Sequence, residues 1–333
     1  MQALKNIELH SCPESGSRPP ERVSIGLRHI DGAQTIAGID VGEDYLDLAI
    51  IDPGCATMVY RRVALAGINR EPLGAMRERI AAAAPELGSG ALAIVDSPRW
   101  PRDQALDDRV RATNRGRDID FALRRLMAVL SAAWPALGRL SMYPTPPLAY
   151  FIACIADARC KPHLRALGRA LFAAHQRREQ RPAGTDAPVR GGMLFTRFMI
   201  AGFAAFRALE SVGVEVCESF PDLQFRLAAP TRRLIAKSGG RRALAMRQRI
   251  VRQLSRRLEI EASTPPTLDF ADAAIMALGA RLTIRCGAMI ELRSPAEGNF
   301  VLTLSPEQAA AARLPACSRL RASRKRDHLR APA

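Results

Sequence analysis

Three β-rich runs separated by very short connections constrain this chain more than any other feature. TIAGIDVG (35–42) is apolar and ends in glycine, YLDLAIID (45–52) alternates and then stays apolar, and TMVYRRVAL (57–65) supplies a third run. The segments between them, Gly42 to Asp44 and Pro53 to Ala56, are too short for a crossover, so the three strands form an antiparallel meander. Residues 70–88 then carry Ala, Leu and charges at helical spacing with Gly88 at the end, which predicts a helix. ALAIVDSP (91–98) is an uninterrupted apolar run that suits a strand covered on both faces. In a β-β-β-α-β order the fourth strand can lie beside and parallel to the first, which brings the ends of GIDV and AIVD together.

The rest of the chain divides around this nucleus. Residues 1–33 mix Pro, Ser, Gly and charge without period and read as a loose leader, and 34–306 as one domain. A large insertion or lid is expected at about 99–190, where a charged stretch, a helical segment at 121–133, the proline cluster YPTPP and a basic loop break the pattern. Helix 193–211, strand 213–221, a basic helical stretch, a helix from near Thr267 and a strand at 299–305 complete the domain. Residues 307–333 read as a basic disordered tail, with seven Arg or Lys against one Asp between Arg313 and Arg330.

Charge and cysteine usage narrow the class. The net charge is +16, and Arg226 to Arg257 holds eleven basic residues and no acid, a candidate phosphate-facing surface. For any one arginine a solvated helix face is the commoner explanation. No apolar run is long enough to cross a bilayer and the first residues lack a secretory apolar core, so the expectation is a cytoplasmic protein with no membrane partner. The seven cysteines are odd in number and scattered, as reduced thiols are. Cys154, Cys160, His163 and His175 match no common zinc spacing.

Four acidic residues stand at the ends of apolar elements: Asp40 in GIDVG, Asp96 in IVDSP, Glu218 in VCESFP and Asp272 in DFADAA, with Asp269 one turn before it. Each alone has an ordinary reading as a turn residue, helix-start residue or surface strand end. As a set they follow the order of an α/β, RNase H-like fold, a mixed five-stranded sheet of antiparallel meander plus parallel strands flanked by helices. A carboxylate buried among aliphatics is costly unless a cation compensates it. Hard divalent ions such as Mg²⁺ or Mn²⁺ take carboxylate oxygens, and two held about 4 Å apart can drive in-line phosphoryl displacement.

These residues also resemble the domain-of-unknown-function family 429, usually described as predicted RNase H-like nucleases. The likeness spans most of residues 36–304: GIDVG, IVDSP, the Asp108-Arg109 pair with Arg111, VCESFP, Lys237 with Arg241, and DFADAA. It implies that Asp40, Asp96, Glu218 and Asp272, with Asp269, line a Mg²⁺ or Mn²⁺ site. It further implies that Arg109, Lys237 and Arg241 contact phosphate of a nucleic acid or nucleotide.

The expected function is metal-dependent phosphodiester cleavage. A sugar-kinase or actin-like nucleotide-binding protein also opens with a glycine-flanked Asp before a hairpin, but Glu43 and Asp44 stand where such proteins place Ser or Thr, and a second Gly-rich phosphate loop is missing. A non-catalytic nucleic-acid-binding module is the third class.

Overall fold

The computed structural model describes residues 23–30, 34–42, 44–54, 56–65, 73–100, 117–138, 150, 153–154, 166, 192–285, 288–295 and 297–312. The expected meander is formed by β2 (Ile36–Val41), β3 (Tyr45–Asp52) and β4 (Thr57–Ala64), each antiparallel to the next. Helix α1 (Leu73–Ala83) follows, and β5 (Leu92–Asp96) returns parallel to β2 with Ile36 opposite Leu92 and Asp40 opposite Asp96. Strand β6 (Glu215–Glu218) lies parallel to β5 on its far side. Continuous apolar sequence in β2 and β5 follows from their central position, where helices cover both faces.

Four further strands extend the sheet: β1 (Ser24–Arg28), β7 (Glu261–Ala262), β8 (Ala288–Ser294) and β9 (Gly298–Leu304), of which only β9 was anticipated. Among the described residues the open sheet therefore has nine strands, not the five expected, in the order β1-β8-β9-β6-β5-β2-β3-β4-β7. Strand β1 lies within the segment read as a loose leader, and it pairs antiparallel with β8. Its Ile25 and Leu27 lean on apolar neighbours while the Arg28 guanidinium lies 2.8 Å from buried Glu291 of β8. Both strands carry charge inside a short alternation, which hid them in the sequence.

Period-two alternation sorts the central strands into two cores. Ala37, Ile39 and Val41 of β2, with Ala93 and Val95 of β5, face α1 and α3 (Gly192–Ser211), where Phe203, Phe206 and Leu209 are buried. Ile36, Ala49, Leu92 and Ile94 belong to the other face, covered by α5 (Arg241–Leu258) and α6 (Leu268–Arg285). Helix α2 (Asp118–Ala133), from the expected insertion, covers the β8–β9 end of the sheet through Ile119, Leu123 and Leu130. The basic stretch is two helices rather than one: α4 (Pro221–Ala228) stops before Pro230, and a 3₁₀ turn, Lys237–Gly239, leads into α5. A final short helix, α7 (Pro306–Ala311), begins with a capping box from Ser305 and Gln308, so the first part of the expected tail is folded. No helix among the described residues is long and apolar enough to cross a membrane.

Candidate metal centre

Gly38 decides how closely the helical layer approaches the strand that carries Asp40. It shares the α6 side of β2 with Ile36 and Asp40, and a Cβ placed on it would lie 1.9 Å from the Ala273 carbonyl oxygen of α6. Only a hydrogen at this position lets α6 lie so near the sheet. Asp272, one residue before Ala273, is thereby held over the end of β2. Thr267 Oγ1 accepts the Phe270 N–H at 3.2 Å and fixes the start of the helix.

Parallel register supplies the other two carboxylates. Asp40 and Asp96 are direct partners across β2 and β5 and therefore project to the same side. Asp40, Asp96 and Asp272 each present an oxygen within 4.8 Å of the others. Asp272 is fully buried, Asp40 nearly so and Asp96 partly.

Burial raises all three above the usual carboxylate range. Asp40 is pushed well up by burial and then by Asp96, against the opposing pull of Lys237. Asp96 is pushed up to about 7 by burial, with Lys237 the main offset. Asp272 is raised by burial and drawn down by Lys237 and Arg247. Lys237 Nζ, on a half-exposed side chain, lies 2.5 Å from Asp272 Oδ2, and the fully buried Arg247 has Nε 3.4 Å from Oδ1. Arg247 is committed elsewhere too, donating to the Ile235 carbonyl at 2.9 Å and to Asp222 Oδ1 at 3.1 Å. Three converging carboxylates thus meet one half-exposed cation and one shared cation. Neither Asp272 oxygen receives a hydrogen bond of good geometry, although the residue is fully buried. All-oxygen, anionic and under-compensated, this donor set fits Mg²⁺ or Mn²⁺.

The remaining sequence candidates fall around this triad. Asp269 lies at the cavity edge and accepts a hydrogen bond from Tyr45 Oη at 2.8 Å. Glu218 lines the same cavity but lies outside the triad. Its register partner on β5 is Val95, not Asp96, so it belongs to the opposite alternation. Its carboxylate is held by Arg117 in a bidentate pair of 2.6 and 2.5 Å and accepts the Arg99 N–H at 3.3 Å. Arg241 is exposed at the start of α5, and Arg109 lies outside the described residues. Of the rejected zinc set, Cys154 is a buried free thiol, and Cys160, His163 and His175 lie outside the described residues.

Two residues here escaped the sequence reading. Arg117 sat in a charged stretch with no distinguishing signal. Asp47 is the direct β3 partner of Asp40 and pairs with Arg62 on β4 through two 2.6 Å contacts. An acid inside the apolar alternation of YLDLAIID was the legible sign of it. Arg62 also stacks 4.1 Å above the Tyr45 ring, so Asp47 is neutralised in place by a cation of its own, whereas the three carboxylates of the triad share Lys237 and Arg247.

Above the carboxylates opens a cavity of about 410 Å³, within the range of small-molecule sites. It is lined by Asp40, Asp96 and Lys237 together with the apolar Phe198, Met199, Phe220 and Phe300.

No family model, curated protein or solved structure matches this chain.

Proposed function

We propose that the protein is a metal-dependent phosphodiester hydrolase, a nuclease with an RNase H-like arrangement of acids, in which Asp40, Asp96 and Asp272 hold Mg²⁺ or Mn²⁺. The observation that carries this reading is the register match of Asp40 with Asp96 beneath the buried Asp272. The motif resemblance to family 429 and the strand order β4-β3-β2-β5-β6 within the sheet support it. A divalent cation held there supplies charge neutralisation and activation of water for in-line displacement at phosphorus.

The chain's own residues have distinct tasks in this reading. Lys237 is firmly protonated, because Asp272, Asp40 and Asp96 outweigh the cost of its burial. Its half-exposed side chain would let the ammonium turn from Asp272 to a phosphate oxygen were Asp272 to hold a divalent cation. Glu218 is fixed and neutralised by Arg117 where it lines the cavity, and the apolar walls limit water around the reacting phosphate.

The test is cleavage of labelled oligonucleotides with Mg²⁺ or Mn²⁺, comparing the native chain with Asp40→Asn. The expected loss is on the order of a hundredfold or more. Equal cleavage by Asp40→Asn, or cleavage that persists in excess chelator, would refute the proposal.

A further inference from the structure

Five exposed arginines of α5, Arg241, Arg242, Arg249, Arg252 and Arg256, fall within about 100° of one another around the helix axis at 3.6 residues per turn. None forms an ion pair among the described residues, and the helix contains no acid. The opposite side, with Ala243, Arg247, Ile250, Leu254 and Leu258, is buried against the core. From Arg242 to Arg256 the stripe runs about 21 Å at 1.5 Å per residue. It begins four residues after Lys237, which lines the cavity.

The cavity contributes a second, independent feature. Phe198 of α3 and Phe220, between β6 and α4, are both only partly buried and both line it, from different elements of the fold. Aromatic faces beside a phosphate-binding cation suit an unstacked base, which offers a π face whatever its identity. A base inside a duplex is stacked on both sides and cannot reach such a wall without being turned out.

We infer that the substrate is a single nucleic-acid strand, its backbone following the arginine stripe of α5 and one unstacked base seated against Phe198 and Phe220 beside the carboxylates. This inference rests on the proposed hydrolase reading and names its substrate class. The stripe is one helix wide, which matches one row of phosphates. The cavity, about 410 Å³, has room for one base that has left its stack.

Binding of 20-nucleotide single strands of DNA and RNA, and of the matching duplexes, is measured by fluorescence anisotropy with Ca²⁺ in place of Mg²⁺. Single strands should bind at least about tenfold tighter than duplex. Phe198→Leu and Phe220→Leu keep an apolar side chain but remove the π face, and each should weaken single-strand binding about fivefold or more while circular dichroism shows the variant folded. Arg249→Gln with Arg256→Gln should reduce the slope of log K against log salt by about 1.4, at about 0.7 for each phosphate no longer neutralised. Equal affinity for duplex and single strand, or unchanged binding in both leucine variants, would overturn the inference. Such a result accompanied by metal-dependent cleavage that Asp40→Asn abolishes would leave the hydrolase reading standing. Single-strand preference without any cleavage would keep the binding mode but remove the hydrolase, and with it the assignment of the strand as a substrate.

Discussion

Asp40 and Asp96 face each other across two parallel strands in direct register, and both carboxyls are raised above the normal range, Asp96 to about 7. The native state therefore keeps protons that the unfolded chain has released. Such groups contribute stability that is complete below about pH 4 and is lost as pH rises through their folded values. Buried Asp120 of α2, pushed up to about 8 with neither oxygen hydrogen-bonded, acts in the same direction. Metal-free protein should lose melting temperature from about pH 4 up to about pH 8, and Asp120→Asn should flatten the upper part of that fall. Thermal denaturation across this window checks both.

Divalent ions must displace the same protons. Mn²⁺ should thus stabilise the fold more at about pH 8 than at about pH 6, and titration calorimetry in buffers of different ionisation enthalpy should reveal proton release on binding. A pH-independent shift in melting temperature would argue that the ion binds elsewhere.

Gly38→Ala should act on structure and site together. The added methyl meets the Ala273 carbonyl oxygen, so α6 must move outward and carry Asp272 with it. Overpacking of this kind costs about 1–3 kcal/mol. Chemical denaturation should show that loss, and Mn²⁺ affinity should fall even though no carboxylate has been changed.

Arg117→Met leaves Glu218 buried and uncompensated, a change worth about 3–5 kcal/mol where the partner is fully enclosed. Adding Glu218→Gln to Arg117→Met removes the stranded charge and should recover part of the loss. A double-mutant cycle by urea denaturation measures the coupling.

Lys237→Met removes the cation paired with Asp272, which on the proposed reading competes with metal for that carboxylate. Mn²⁺ affinity should rise by about tenfold, or about 1.4 kcal/mol, while cleavage falls because the phosphate loses its cation. Opposite movement of these two readouts separates this role from a merely structural one.

Local signals in the sequence were sufficient for the meander, α1 and β5, because β2 and β5 are central strands whose uninterrupted apolar runs report burial on both faces. Asp40, Asp96 and Asp272 each had an ordinary reading alone and stood out only as a set of acids at the ends of apolar elements. Glu218 looked equivalent, yet its direction depends on how β6 registers on β5, fixed by pairs such as Glu215 N–H to the Ala91 carbonyl at 2.9 Å. Those two residues stand 124 positions apart in sequence, and no local pattern encodes their pairing. Strands β1 and β8 were hidden because Arg28, Glu291 and Arg293 neutralise one another only once the strands have paired. Arg117 was one arginine among many until the fold placed it against Glu218.

The most direct test of the metal centre is calorimetric titration of Mn²⁺ into the native chain and into Asp40→Asn, Asp96→Asn and Asp272→Asn, with folding checked by circular dichroism. The triad predicts saturable binding to the native chain that weakens at least about tenfold in every one of the three variants. Binding that survives unchanged in folded Asp40→Asn and Asp272→Asn would contradict the account.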